Sequence, residues 1–374
     1  MTESIPLVCA SLGERELAAA AEVFSSGRPA GRGPQARALE AELARRLRIR
    51  TGEAVAVNDG GDALRLALLG LGVGPGDEVI VADYAFSVPA HAVRRAGAVP
   101  VFADVRSDTA TVDPWTVADL IGPRTVGVIA ADTAGLPADY TELRWITDRH
   151  GLFLVEDAAC AVGASYKGRE AGTLAPVARL SFHGHQGALL MCDPDFAATV
   201  RTRAALGIEN PSDQPEFTGT GHDHTLSDVA AAILRVQLAR TNELLRRRRA
   251  VAARYADLLV DDELVSLPYV PQNRCHAWQS YLVTLDPGVD RAAVAAELRA
   301  RGIGCGPGAW ATHLQPVYAK TKHACPVSAD LSRRNLALPM HAELTPDQAE
   351  RVAAALRTAL RGHGRAHPPR PSSG

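Results

Sequence analysis

The chain has 374 residues, of which 47% are hydrophobic, and its formal net charge is −2. This length and composition predict a globular chain with room for two domains. The near-neutral charge argues against a nucleic-acid-binding protein, because such proteins carry a net or clustered positive charge. No apolar run has the length of a membrane span, and no basic segment followed by an apolar one opens the chain, so we expect a cytoplasmic protein without membrane partners.

The hydrophobic pattern of the first half alternates between the two periodicities of regular structure. It predicts helices over residues 13–25, 35–47, 63–71, 88–96 and 140–150, and strands over residues 54–57, 78–82, 101–104, 126–131, 152–155 and 180–183. Strands without polar alternation, separated by amphipathic helices, are typical of a mostly parallel sheet covered on both faces. We therefore expect a large three-layer α/β/α domain.

The second half predicts a smaller α+β domain. Helices over residues 226–259 lead to a strand over 279–285 and to helices over 291–301 and 345–361. The expected division is an N-terminal helical segment (1–50), a large α/β domain (51–245), a small C-terminal domain (246–361) and a disordered tail (362–374), whose composition is almost without apolar residues.

Two residue types limit the possible chemistry. The six cysteines include no Cys-x-x-Cys pair, which argues against both a disulfide framework and a zinc ribbon. Lysine is scarce, since only Lys167, Lys320 and Lys322 are present. Any reaction that needs a lysine amine therefore has three candidates at most.

Several ordered motifs resemble the DegT/StrS-type sugar aminotransferases, a family of pyridoxal-phosphate (PLP) enzymes. The motifs that carry the resemblance are Gly74-Pro75-Gly76-Asp77-Glu78, Gly135-Leu136-Pro137-Ala138-Asp139, Val155-Glu156-Asp157-Ala158-Ala159, Tyr166-Lys167-Gly168-Arg169, Ser181-Phe182-His183 and Leu338-Pro339-Met340-His341. The resemblance covers nearly the whole chain. It implies the PLP-transferase type I fold, a site at the carboxyl ends of the parallel strands, and a homodimer, or a heterodimer with a paralogue.

The resemblance also implies a lysine, and the chain departs from it there. The family places its Schiff-base lysine shortly after the Ser-Phe-His element. Here a shortened loop reads Gly184-His185-Gln186-Gly187, with Gln186 at the lysine position under one alignment. We therefore expect no cofactor, and covalently bound PLP least of all.

The phosphate contacts that the resemblance implies are replaced by acids. The family Ser-Gly-Thr turn is Asp59-Gly60-Gly61, and the asparagine that a partner subunit would supply corresponds to Asp223. Two carboxylates disfavour a phosphate, because one charge pair at about 4 Å is worth about 4 kcal/mol at an effective dielectric of about 20. Asp59 has an alternative role as a helix N-cap. Ser181, a family phosphate ligand, is retained.

Around the expected cofactor ring, part of the family pattern remains. Phe86 stands at the ring-stacking position and Asp157 at the position that holds the pyridinium nitrogen, whereas Asp132 replaces a histidine and Cys160 a glutamine. A buried Asp157 without a pyridinium would have a raised pKa or another donor, which suggests a polar ligand. A leftover aspartate bonded to backbone is the alternative.

Together these substitutions predict an acidic, histidine-bearing cleft. We predict Asp132, Asp157, His183 and His185 as acid–base groups. The predicted ligand-binding set consists of Asp59, Phe86, Cys160, Ser181, Gln186, Asp223 and His313. The ligand would be a small molecule, cationic or sugar-derived. His-x-His occurs twice, but this spacing is short and common, and we predict no metal site.

Three hypotheses follow. The first is a PLP-independent, repurposed member of the family that uses acid–base chemistry to make a sugar- or aminocyclitol-type natural product. The second is a non-catalytic partner that dimerises with an active paralogue. The third is a lysine-less enzyme, an aminotransferase or a dehydratase, that uses PLP or its amine form, pyridoxamine phosphate (PMP).

Overall fold

The structure, a computed structural model, describes residues 4–27, 31–50, 52–182, 186–209, 215–319 and 323–363. Within these ranges, every helix is too short or too polar to cross a membrane.

The fifteen strands of the described ranges form one large sheet and three small ones. They are β1 (Ala54–Val57), β2 (Glu78–Ala82), β3 (Tyr84–Ala85), β4 (Val99–Ala103), β5 (Thr125–Ala131), β6 (Phe153–Asp157), β7 (Ser165–Tyr166), β8 (Arg169–Glu170), β9 (Val177–Ser181), β10 (Gly187–Met191), β11 (Val265–Ser266), β12 (Arg274–Cys275), β13 (Tyr281–Leu285), β14 (Trp310–Ala311) and β15 (Asn335–Leu338).

The described α-helices alternate with strands in the first half and dominate the second. They are α1 (Glu14–Ser25), α2 (Pro34–Leu47), α3 (Gly60–Gly70), α4 (Val88–Arg95), α5 (Pro114–Asp119), α6 (Tyr140–His150), α7 (Pro194–Arg203), α8 (Asp228–Leu259), α9 (Arg291–Ala300), α10 (Pro326–Arg334) and α11 (Pro346–His363).

The central sheet has seven strands in the order β1-β10-β9-β6-β5-β2-β4. The pairs from β9 to β4 are parallel, and β10 pairs antiparallel with both β1 and β9. Successive side chains on a strand point to opposite faces, so Ile80 packs into one apolar cluster and Val79 and Val81 into another. The expected fold class, a mostly parallel sheet with apolar cores on both faces, is confirmed.

The long helix α8 connects the two halves of the chain. Its first turns pack against α1 and α2, and its last turns pack against α11. A separate apolar cluster there joins the three-stranded sheet β11-β13-β15 to α9 and α11. The predicted boundary at residues 245–246 falls inside this continuous helix, and the predicted division remains a proposal.

Two sequence-based boundaries differ from the structure. Helix α11 continues through Gly362 and His363, beyond the expected end at residue 361, and residues 364–374 of the predicted tail lie outside the described residues. The start of α11 fits its sequence, since Thr345 Oγ1 accepts a hydrogen bond from the Gln348 amide at 3.2 Å.

Candidate functional site

A cavity of about 500 Å³ lies where the carboxyl ends of β5, β6 and β9 meet the inner face of α8. This volume is typical of small-molecule sites. Of the predicted residues, Phe86, Asp132, Asp157, Cys160 and Ser181 line it. The edge shared by parallel strand ends brings these side chains together.

Asp132 follows the last residue of β5 and is 2% exposed. Its Oδ1 accepts hydrogen bonds from the Ala138 amide at 3.0 Å and from Tyr140 Oη at 2.9 Å. Its Oδ2 is buried, and the Asp132 carboxyl also forms a hydrogen bond with the Glu156 side chain. Asp132 thus lines the cavity as one of two neighbouring buried carboxyls.

Burial gives the Asp132 carboxyl an unusual protonation state. Desolvation, and then the nearby Glu156, raise the pKa of Asp132 well above its ordinary range. Burial also raises the pKa of Glu156, to about 7, although the amides of Gly172 and Leu174 stabilise its charged form from 2.6 and 2.7 Å. Glu156 has amide donors for a negative charge, whereas burial and the charge of Glu156 both disfavour the charged form of Asp132.

Asp157 already has a cationic partner. Its Oδ1 lies 2.7 Å from Nη1 of Arg179, and the two side chains are 7% and 8% exposed. The Arg179 guanidinium also reaches the start of α3, where a Cβ added to Gly60 would lie 2.6 Å from its Nη2. Glycine at position 60 therefore makes room for the arginine, and the predicted need of Asp157 for a positive partner is met by this chain itself.

The remaining walls of the cavity are mostly apolar. One face of α8 contributes residues spaced three or four apart, the spacing of a single helical stripe. They are Leu234, Gln237, Leu238, Thr241, Leu244, Leu245 and Arg248. At another wall Phe86 and Trp310 meet edge to face, with ring centroids 5.5 Å apart.

Asp59 does not line this cavity. It is the N-cap of α3, and its Oδ1 accepts hydrogen bonds from the amides of Gly61 and Asp62 at 2.7 and 3.0 Å. Its carboxylate thus accepts the hydrogen bonds of the helix amides that would otherwise bind an anionic ligand. Asp59 lines a separate depression beside His91 and Arg94.

The other predicted acid, Asp223, is exposed and accepts hydrogen bonds from the amide and hydroxyl of Thr225 at 3.1 and 2.6 Å. Within one chain the three predicted acids do not meet in one cleft, and a contribution of Asp223 to the site of a partner subunit stays a prediction. The side chains of Asp59 and Asp223 are satisfied locally, and Asp132 alone of the three reaches the cavity.

Of the predicted histidines, His313 alone lies within the described residues. His183 and His185 lie outside the described residues, and Gln186, next to them, is not among the lining residues. His313 lies away from the lining too, because its Nδ1 pairs with Asp83 Oδ2 at 2.6 Å. Cys160 does line the cavity, but burial raises the pKa of its thiol to about 12, which disfavours a nucleophilic thiolate.

One cluster has residue types that bind metals. Ligand atoms of Asp83, His313 and Cys325 lie within 4.8 Å of one another. Both oxygens of Asp83 already accept hydrogen bonds from His313, from its amide at 2.7 Å and from its ring at 2.6 Å. The hydrogen-bonding capacity of Asp83 is therefore used within the protein, without a metal ion.

Among the described residues, no lysine lines the cavity to anchor a PLP molecule. Lys167 is the one lysine within the described residues, and its exposed Nζ donates to Thr141 Oγ1 at 2.8 Å, away from the lining. The carboxylate of Asp157 is paired with Arg179, and the α3 amides are capped by Asp59.

Sequence reasoning missed two arginines in this cavity, Arg179 and Arg248. A signal existed for Arg179, because it interrupts the apolar strand β9. Arg248 is part of the run Arg246–Arg249. Such a run is typical of a solvent-exposed helix surface, and only the helical periodicity of the residues before it places Arg248 on the inner face.

Comparisons with known proteins agree over almost the whole chain. Residues 10–357 match the model of the DegT/DnrJ/EryC1/StrS aminotransferase family. A dTDP-3-amino-3,4,6-trideoxy-alpha-D-glucose transaminase of Streptomyces venezuelae is 37% identical over 356 residues, which cover 91% of this chain and 90% of that protein.

Two solved structures are similar in both sequence and fold. The aminotransferase TlmJ from Streptoalloteichus hindustanus has a TM-score of 0.91 and 34% identity, covering 96% of this chain and 100% of its own. DesV from S. venezuelae, solved in complex with a ketimine intermediate, has a TM-score of 0.89 and 34% identity, covering 96% of this chain and 98% of its own.

These relatives correct the expectation that no cofactor is involved. They are named as a transaminase and an aminotransferase, and a ketimine is an intermediate of PLP-dependent transamination, so the family finding points to a PLP cofactor. The sequence-based expectation was wrong because it treated the loss of the lysine and of the phosphate contacts as the loss of the cofactor.

Proposed function

Because the chain belongs to the DegT/DnrJ/EryC1/StrS aminotransferase family, we propose that it acts on a sugar bound in the cavity beside Asp132, during biosynthesis of a sugar- or aminocyclitol-type natural product. A cavity of about 500 Å³ at the carboxyl ends of the parallel strands supports this. The relative that is named for a dTDP-linked amino sugar suggests a diphosphate-linked sugar as the ligand.

The observation that carries the proposal is a buried carboxyl, Asp132, at the cavity wall. Its Oδ1 is held by two donors, Glu156 is its neighbour, and its pKa is raised well above the ordinary range. A carboxyl with a raised pKa at a cavity wall can donate a proton to a sugar oxygen. Once ionised, the same group accepts a proton.

The neighbouring residues position the sugar and keep water away. Thr133 Oγ1 is a buried polar atom at this wall without a described partner, and it can hydrogen-bond a sugar hydroxyl. The apolar stripe of α8 lowers the local dielectric, which strengthens hydrogen bonds to Asp132. Phe86 and Trp310, which meet edge to face, contribute aromatic surface to the cavity wall.

PLP or PMP is the cofactor that the relatives suggest for this chain, and when bound it supplies electron-accepting chemistry. The described residues do not fit its lysine-anchored form. We therefore assign no step to the cofactor, and the proposal concerns what Asp132 does to the sugar.

Turnover of dTDP-linked sugars tests this proposal. The purified protein is incubated with dTDP-linked keto and amino sugars, with PLP and PMP both present, and the products are identified by NMR. We expect Asp132→Asn to lower turnover by about 100-fold or more, since a positioned acid contributes about 10²–10⁴-fold. Lys167→Met is the control, because its exposed amine is away from the cavity.

A D132N variant with wild-type turnover would exclude Asp132 as the acid. Loss of turnover in K167M, together with retained activity in D132N, would show that the reaction depends on a lysine amine and not on Asp132.

A second candidate function, a partner subunit for an active paralogue, is favoured by the exposed aromatic pair. Phe86 is 61% exposed and Trp310 is 40% exposed. Large apolar side chains at a cavity wall are typical of surfaces that another chain covers.

Co-expression with a paralogous aminotransferase tests this candidate. Phe86→Asp with Trp310→Asp would abolish co-purification, and Trp145→Asp, at a site 57% exposed on α6, is the matched control. A stable homodimer that captures no paralogue would argue strongly against the candidate.

A further inference from the structure

A second cavity borders the first one at the turn after β5. It has a volume of about 260 Å³ and lies between the loop before α5, the strand β13 and the helix α10. Thr133, Ala134 and Ser280 line both cavities, whereas the other residues of the second lining belong to it alone. The second cavity is therefore a neighbouring space with its own chemistry.

His276 supplies a hydrogen-bond donor to this second lining. The side chain is 6% exposed, its ring stacks on Trp278 with centroids 4.0 Å apart, and its Nδ1 accepts a hydrogen bond from the Trp278 amide at 2.7 Å. Burial lowers the pKa of His276 to about 3, so the imidazole is neutral near neutral pH. A neutral imidazole whose Nδ1 accepts a hydrogen bond carries its hydrogen on Nε2. This Nε2 donor forms no hydrogen bond with the described residues and remains for a ligand.

Two hydroxyl groups of the lining supply acceptors. Thr284 Oγ1 donates its hydrogen to Asn335 Oδ1 at 2.8 Å, and Ser280 Oγ donates to Gln279 Oε1 at 2.6 Å. A hydroxyl that donates its one hydrogen within the protein keeps its lone pairs for a ligand. An alcohol group both donates and accepts, so it matches a lining that offers a fixed donor and hydroxyl acceptors.

The charged groups of the second lining are already paired. Asp330 lies 2.6 Å from Arg334, which also lines the cavity, and Asp108 lies 3.0 Å from Arg106. An ionic ligand would lose its hydration without gaining a free counter-charge from the described lining. The pairing therefore favours an uncharged ligand.

The size and the apolar part of the lining restrict the ligand further. Drug-sized ligands occupy cavities of about 300–1,000 Å³, and the second cavity is smaller, at about 260 Å³. Tyr269 is 55% exposed at its edge, and Pro268 and Leu282 add apolar surface. Aromatic and aliphatic side chains pack against the C–H faces of a ring. The space suits a single small ring and is too small for a nucleotide-linked sugar.

We propose that the second cavity binds a small uncharged polyol, a monosaccharide or a cyclitol, through His276 Nε2 and the Thr284 hydroxyl. The site lies beside the cavity of Asp132, and its assignment does not depend on the proposed function. Because Thr133, Ala134 and Ser280 line both cavities, a polyol bound in the second one contacts the wall of the first.

Saturation-transfer NMR titrations with myo-inositol, glucose and glycerol test the proposal. Ser266→Trp places a large side chain at an exposed position of the second lining, and we expect it to abolish polyol binding. His276→Phe removes the Nε2 donor and keeps an aromatic ring against Trp278. We expect it to weaken binding by about fivefold, the value of one neutral hydrogen bond. Ser266→Trp carries the test alone if the phenylalanine variant is not recovered folded.

Two control variants separate the cavities. Thr358→Trp adds the same large side chain at an exposed position of α11 that lines neither cavity, and it should bind polyols as the wild type does. Asp132→Asn alters the first lining and leaves the second intact, so it should also bind them normally.

The remaining outcomes contradict the proposal in different ways. A wild-type protein that binds none of the three polyols would overturn it. Binding that S266W leaves unchanged would also overturn it, and loss of that binding in D132N would place the polyol in the first cavity. Binding of inorganic phosphate that S266W abolishes would exclude the uncharged class of ligand. Absence of sugar turnover together with normal polyol binding would contradict the proposed function alone.

Discussion

The two oxygens of Asp132 have different environments, and this difference predicts how its removal affects stability. In the D132N variant, the asparagine side chain would keep an acceptor for Ala138 and Tyr140, and its NH₂ group would take the place of the buried Oδ2 and could donate to Glu156. We therefore expect D132N to fold with little loss of stability at low pH.

The stability of D132N relative to wild type should change with pH. Because the folded-state pKa of Asp132 is raised, the folded protein binds its proton more tightly than the unfolded chain does, and wild-type stability falls as pH rises from the ordinary carboxyl range to the raised pKa. Asparagine does not titrate. The stability of D132N relative to wild type should thus increase with pH, by up to about 1.4 kcal/mol per pH unit.

Urea unfolding of both proteins at pH 5, 7 and 9 measures this difference. A difference that stays constant, or that favours wild type increasingly at high pH, would show that Asp132 is ionised in the folded protein.

The buried Asp157–Arg179 pair gives a second prediction at the residue scale. Removing one partner leaves an uncompensated charge, so Arg179→Met and Asp157→Asn should each lower the unfolding free energy by about 3–5 kcal/mol. The double variant should be much less destabilised than the sum of the two, because it leaves no unpaired charge. A double-mutant cycle by urea unfolding measures this coupling, and additive losses would mean that the pair is not formed.

At the scale of elements, the start of α2 depends on α8. The N-cap residue of α2, Gly33, has no capping side chain, and Asp228 of α8 accepts hydrogen bonds from the Gln35 and Ala36 amides instead, at 3.3 and 3.0 Å. A Cβ on residue 33 would lie 1.9 Å from an Asp228 oxygen. Glycine is therefore required there by the close approach of another helix.

Asp228→Ala should destabilise the protein by about 1–2 kcal/mol, the usual value of an N-cap. It should also increase amide hydrogen exchange in the first turn of α2. Asp228→Asn, which keeps an acceptor oxygen, is the control and should lose less. Equal exchange in D228A and wild type would mean that the cap contributes nothing.

The elements also show which parts of the fold sequence periodicity can predict. The strands β1 and β2 and the helix α6 have the predicted bounds, because a bounded apolar run defines each strand and an amphipathic pattern defines the helix. The strand β10 and the short helices α5, α7 and α10 were missed. The residues of β10 follow a glycine-rich stretch that reads as a loop, and its antiparallel pairing with β1 and β9 depends on distant partners.

At the scale of the whole molecule, chain topology explains why the site was partly predictable. Asp132 and Asp157 lie at the ends of neighbouring parallel strands, so their proximity follows from the fold. The roles of Asp59 as a helix cap and of His313 as a partner of Asp83 depend on local hydrogen bonds that spacing does not reveal. The pairing of Arg179 with Asp157 depends on tertiary distances, which no single-sequence pattern contains.

The central claim is that the cavity at the strand ends binds a sugar through Asp132. A crystal structure of the protein with a diphosphate-linked sugar tests this most directly. The sugar should lie inside the cavity, with an oxygen within hydrogen-bonding distance of the Asp132 carboxyl. A sugar bound elsewhere, or in the cavity without contact to Asp132, would contradict it.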